Sequence, residues 1–150
     1  MAKHSFEIGQ LFLVPNSSGS FYVGQVAEEF PELSSVFCYF FDEPDAGQCP
    51  STEAVAIFSK SIIAAALVTP ELLKCGVWRL CDAKYNVTQH PLLLRVRELG
   101  SEGFVGATVN GAGLVTQFLD THFGRLSMDH WATPQLVLRF LEASSGPLNS

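Results

Sequence analysis

The stretch that decides the fold runs Gly9-Gln-Leu-Phe-Leu-Val-Pro15, Asn16-Ser-Ser-Gly-Ser20, Phe21-Tyr-Val-Gly-Gln-Val26 and, after an acidic link, Val36-Phe-Cys-Tyr-Phe-Phe-Asp42. Three runs of aromatic and β-branched residues separated by turn chemistry predict a three-stranded antiparallel meander over residues 9–42. The first two runs are joined by a five-residue gap that contains Gly19, within hairpin range. Leu11 and Leu13 point to one face while Phe12 and Val14 point to the other. Both faces therefore need cover, which puts these strands at the centre of the fold. Gly24 breaks the second run, and a bulge or a sharp bend in a small barrel is the usual reason.

Outward from the meander, Phe41 to Pro50 is dense in turn formers and predicts a surface loop. Ala54 to Phe58 suits a short strand or the start of a longer apolar segment. Ile62-Ile-Ala-Ala-Ala-Leu-Val68 fits a buried strand or a helix, since periodicity does not separate the two in so short a run. Thr69 to Gly76 predicts a short helix with Thr69 as cap, Pro70 at its first position and Gly76 as its stop. Val77 to Cys81, Leu92 to Leu99 (with Arg95 and Arg97 on one face) and Phe104 to Val109 read as strands, with Asp82 to Pro91 a loop. Asn110-Gly111 reads as a tight turn in which glycine supplies positive φ.

Helical periodicity takes over near residue 112. Leu114, Val115, Phe118 and Leu119 form one apolar stripe, closed by Gly124. Leu136, Val137, Phe140 and Leu141 form another behind Thr133-Pro134, giving a helical part at about 112–143. The fold class that follows is α+β: an antiparallel, twisted or partly barrel-like sheet with an SH3-like meander at its start and two C-terminal helices packed on one face. A chain of 150 residues fits one domain, 1–150.

With 47% hydrophobic and 16% charged residues, the composition is that of a globular protein. No apolar run approaches the roughly 20 residues that cross a bilayer, and the amino terminus lacks a secretory pattern, so no membrane contact and a cytoplasmic location are expected. Cys38, Cys49, Cys75 and Cys81 form no Cys-x-x-Cys pair and read as reduced thiols, with Cys38 a small core residue.

Charge is unevenly spread. Residues 1–59 hold eight acids against Lys3 alone, a charge of −7; residues 60–150 hold seven acids against eight bases, +1. The excess gathers in Glu28, Glu29 and Glu32, and in Asp42, Glu43 and Asp45, both at predicted strand ends. Such a surface repels nucleic acid and steers a basic protein towards it; it equally serves as a solvated rim that keeps the chain in solution.

The same stretch resembles a known family. The order Gly-x-x-Phe-x-Val-Pro, Gly-x-(Phe/Tyr)-x-x-Gly-Gln-Val and an aromatic strand closing on Asp, carried here by Gly9, Phe12, Val14, Pro15, Gly19, Tyr22, Gly24, Gln25, Val26, Tyr39, Phe41 and Asp42, is similar to the bacterial proteins called immunity protein 26. The likeness extends to Ile62–Val68 as a strand and to Gly76-Val-Trp78, covering about the first half of the chain. It implies an antidote, without catalysis or cofactor, that binds and neutralises a cognate toxin. The six clustered acids would then face a basic toxin domain, a nuclease among the candidates.

Catalysis has one candidate stretch, Asp120 to His130, where His122, His130, Asp120, Asp129, Arg125 and Ser127 invite comparison with a small metal-dependent hydrolase. The histidines lack His-Glu-x-x-His spacing and no Gly-x-Ser-x-Gly occurs, so no catalytic residue and no metal ligand is assigned. Gly111-Ala-Gly113 lacks the third glycine and the Lys-Ser/Thr of a phosphate loop.

Overall fold

The structure is a computed structural model and describes residues 6–49, 62–104 and 109–126. Among these, β1 (Gln10–Pro15), β2 (Phe21–Phe30) and β3 (Ser35–Phe41) form the expected antiparallel meander. A single turn of 3-10 helix, Pro31–Leu33, links β2 to β3. Then follow β4 (Ile62–Val68), α1 (Glu71–Lys74), β5 (Arg79–Lys84), α2 (Pro91–Gly100), β6 (Val109–Asn110) and α3 (Ala112–His122). The protein is α+β. The six strands among the described residues make one open sheet in the order β5-β1-β2-β3-β4-β6, antiparallel except for the β4–β6 pair.

Both faces of the meander are buried, as the failure of alternation in β1 requires. One face carries Phe12, Val14, Tyr22, Val26, Cys38 and Phe40 under Leu73 of α1, Trp78 and the Ala112, Val115, Phe118 and Leu119 stripe of α3. The other carries Leu11, Leu13, Val23, Phe37, Tyr39 and Phe41 under Leu93 and Val96 of α2. The register explains how β4 can be a strand despite its alanines: Ala64 and Ala65 lie opposite Phe40 and Tyr39, small residues beside large rings.

Gly24 has a different reason from the one its sequence context suggests. The irregularity in β2 falls between Val26 and Glu28, while Gly24 pairs directly with Phe12 across the ladder. A Cβ at Gly24 would stand 2.4 Å from the Phe12 ring. Glycine is present so that this ring can lie flat across the strand.

Several local expectations are corrected. Residues 92–99 are helix rather than strand: Pro91 occupies the first turn of α2, His90 caps it, and Leu93 and Val96 turn inward at helical spacing. The three-leucine run hid this, being compatible with either period. Strand β5 starts later than Val77, which is exposed, and runs on through Lys84. Gly111 has φ −66 and is the N-cap of α3, so no positive φ is required there. Thr69 does not cap α1. Its hydroxyl accepts from the Ala112 backbone N–H, 3.1 Å, and so caps α3, while donating to Glu71 Oε1 at 2.8 Å. Helix α2 covers the face opposite α3, and of the two C-terminal helices expected on one face the structure describes α3. Residues 54–58 and 133–143 lie outside the described residues.

The cysteines are corrected as well. Cys49 and Cys81, 32 positions apart in sequence, form a disulfide, which ties the loop after β3 to edge strand β5. Sequence spacing offers no sign of a bridge that the fold creates by bringing two distant segments together. Cys38 is buried and Cys75 exposed, both free; burial pushes the Cys38 thiol well above its ordinary value, so it stays protonated.

Two stability experiments follow. Gly24→Ala is expected to cost about 1–3 kcal/mol in urea denaturation, by forcing the Phe12 ring out of place. Opening a 32-residue disulfide loop should cost about 3–4 kcal/mol on the chain-entropy account, read as a lower melting temperature for Cys49→Ser or in reductant; Cys75→Ser should leave it unchanged.

Candidate functional site

The two acidic clusters stand at opposite ends of the β2–β3 hairpin. Seven residues of β3 at about 3.3 Å each separate them by roughly 20 Å, so they are two surfaces. Within the first cluster, neighbours diverge. Glu28 turns to the α2 side, where its Oε1 meets Arg97 Nη2 at 2.5 Å and Nε at 2.7 Å. Glu29 pairs across the ladder with Val36 and lines a hollow with Phe6, Pro31, Ser34, Pro70 and Lys74 on the opposite face. Glu32 is exposed on the 3-10 turn.

The second cluster is partly consumed by the fold. Glu43 accepts from the Asp45 backbone N–H at 3.0 Å. Asp45 Oδ1 accepts from Ser20 Oγ at 3.0 Å and forms an ion pair with Arg125. Asp42 is exposed. Together with Glu7–Lys84 at 3.1 Å, three acids are paired internally among the described residues. Glu29, Glu32, Asp42 and Glu43 have no ion-pair partner among the described residues.

The start of the 120–130 stretch is also built into the body. Asn16 shapes the β1–β2 turn, its Oδ1 accepting from the N–H groups of Ser18 and Ser20 and its Nδ2 donating to Pro44 O at 2.9 Å. Arg125 Nη1 donates to the same Pro44 carbonyl at 2.8 Å, and its guanidinium lies 5.5 Å from the Tyr22 ring centroid. Phe123 stacks on that ring at 5.1 Å, and the Tyr22 hydroxyl donates to Asp120 Oδ1 at 2.5 Å. Burial first, then this bond to a carboxylate, push the Tyr22 phenol up to about 12, against the opposing pull of Arg125.

Chemically, this node is a clamp. It fastens the end of α3 to the first hairpin and the 42–47 loop. Asp120 and Arg125 are engaged in structural bonds, and His122 packs against Phe118 and Phe123. Ser127, Asp129 and His130 lie outside the described residues. Among the described residues no three His, Cys, Asp or Glu side chains converge as a metal set, and no helix is long and apolar enough to cross a membrane.

The motif glycine and glutamine meet in a second node. Gly9 has φ +88, and a Cβ there would stand 2.4 Å from Tyr85 O. Gln25, buried, donates through Nε2 to Gly9 O at 3.2 Å and Tyr85 O at 3.1 Å. These residues hold the loop after β5 against the meander, so their place in the sequence pattern has a structural cause. The pairing of Arg97 with Glu28 and of Arg125 with Asp45 escaped the sequence reading, because the partners lie far along the chain, and His90, the cap of α2, was read as part of a loop. Searches against protein-family models, curated proteins and solved structures find no match.

Tyr22 sets a pH expectation. Its folded value is raised from 10.0 to about 12, so its contribution is full below pH 10 and is lost as pH climbs towards 12. Between pH 9.5 and 11.5 wild type should lose about 1–2 kcal/mol more than Tyr22→Phe, measured by urea denaturation at the two values.

Proposed function

We propose that this chain is a non-enzymatic immunity protein that binds a cognate toxin domain and neutralises it by covering the surface the toxin uses. The observation that carries this reading is the run of motif residues from Gly9 to Asp42 and its likeness to the immunity protein 26 pattern. The outward acids give it a physical means. Glu29 and Glu32 at one end of the hairpin, and Asp42 and Glu43 at the other, retain charge that no described base neutralises, and a basic toxin would be drawn to either end. Glu28 and Asp45 belong to the same proposed surface only at its margins, since each already holds an arginine. The alternative of a small metal-dependent hydrolase on residues 120–130 gains nothing from the geometry, which commits Asp120 and Arg125 to the clamp.

A cytoplasmic site of action belongs to this proposal. The Cys49–Cys81 bridge pulls against it, because structural disulfides persist mainly in oxidising compartments. The protection assay therefore needs the toxin delivered to each compartment in turn.

The association test separates the two ends. Glu29→Lys with Glu32→Lys, and separately Asp42→Lys with Glu43→Lys, is measured for binding rate to the toxin domain encoded beside this chain. The pair that faces the toxin should slow association about tenfold or more at low salt, an effect that fades at high salt. Rates unchanged in both variants remove the acidic surface from the account, and failure of wild type to protect cells in either compartment removes the function.

A further inference from the structure

Helix α2 begins on an unusual cap. His90 precedes Pro91 with φ −92 and ψ 141, and its Nδ1 accepts a hydrogen bond from the Leu92 backbone N–H at 3.1 Å. Asparagine, aspartate, serine and threonine ordinarily fill this place. The acceptor role fixes the proton on Nε2, and Nε2 is buried without a hydrogen-bond partner. The residue is 6% exposed, and its ring lies 5.8 Å from that of Tyr39. The Tyr39 hydroxyl donates to Thr88 O at 2.5 Å and accepts from the His90 backbone N–H at 3.3 Å, joining the helix start to β3.

We infer that this cap is an acid-released latch: protonating His90 at Nδ1 breaks the bond that starts α2 and frees the helix from the sheet. Three consequences of the geometry act together. The imidazolium has no lone pair for the Leu92 N–H, so that donor is orphaned. Its charge stands at the positive end of the α2 dipole. It also stands in a buried site that offers Nε2 no acceptor among the described residues. Burial accordingly holds the imidazole below its ordinary value.

The titratable group that faces His90 is Tyr39 from β3, and the charged groups that act on Tyr39 are Arg97 from α2 and Glu28 from β2, joined in an ion pair, with Arg97 also bound to Gln89 Oε1 at 3.0 Å. Carboxyl, phenol and guanidinium groups as classes titrate outside pH 5–7, which leaves the imidazole as the group that responds there. Release of α2 removes Leu93 and Val96 from Phe37, Tyr39 and Phe41 and so uncovers an aromatic face.

The sign is fixed by linkage. The capped state is intact above pH 6.5, the ordinary value, and loses ground below it as the opened state takes up a proton. At pH 5 the opened fraction rises up to about 30-fold over pH 8. The test is amide hydrogen exchange of Leu94 to Leu99, expressed as protection relative to the unstructured rate, with β2 and β3 amides as internal reference. Wild type should lose protection in α2 by a factor approaching 30 at pH 5, with the meander unchanged. His90→Asn, which keeps a capping acceptor but does not titrate, should change less than threefold. Equal losses in both proteins, or no loss in wild type, overturn the inference. Should the variant fail to fold, NMR titration of the wild-type ring decides: a proton on Nε2 and a neutral ring down to pH 6 support the latch, and titration at or above 6.5 overturns it.

Discussion

The ring of Phe12 lying across Gly24 is the contact on which the rest of one face depends. Any side chain at Gly24 would occupy the ring's place. With the space open, Phe12 stacks on Trp78 at 5.2 Å and 7°, and meets Phe40 edge-on at 5.9 Å. Each such aromatic pair contributes about 0.5–1.5 kcal/mol beyond the area it buries. Trp78 also serves the chain's path. It follows Gly76, whose φ of +86 turns the backbone out of α1 and into β5. The glycine in β2, the turn after α1 and the placing of the edge strand are thus one constraint seen from three segments.

Electrostatics follows the same logic of distant segments meeting. Among the described residues three ion pairs join positions 77, 69 and 80 residues apart. All involve exposed or partly exposed side chains, so each adds only a fraction of a kcal/mol to stability. Their larger effect is on the surface. They draw three of the acids that give the first 59 residues their excess into contact with bases supplied by the later part, and leave the remaining charge at two separated ends of a hairpin.

Legibility in the sequence tracked how local each cause was. The meander was readable because turn residues and β-branched runs are local signals, and because Leu11 to Val14 announce two buried faces by failing to alternate. The short helix after Thr69 and the stripe from Leu114 to Leu119 were readable for the same reason. Residues 92–99 were misread because Leu92-Leu-Leu has no period of its own, and the deciding sign, a proline at a helix start, was outweighed by the branched and apolar run. The Cys49–Cys81 bridge, the Glu28–Arg97 pair and the Tyr22–Asp120 bond are products of the topology. No spacing in the chain encodes them. For the candidate site, the acids were legible as two groups along the chain, but the pairing of Glu28 with Arg97 and of Asp45 with Arg125 was not, because distance along a strand and alternation across it were not yet available.

The two longer helices show how far capping can depart from its local rules. Helix α3 starts at Gly111, which has no side chain to offer, and Thr69, 43 residues away, supplies the acceptor to Ala112. Helix α2 starts on a histidine that serves only while neutral. A hydroxyl does not titrate in the range where imidazole does, so the covers on the two faces of the sheet differ in kind. The face under α3 is closed by Thr69 and by the clamp at Tyr22, whose bonds hold until strongly alkaline pH. The face under α2 depends on one imidazole and on an ion pair at the surface. Stability is therefore unevenly distributed between two halves of a single sheet, and the half with the titratable cap is the one positioned to open first.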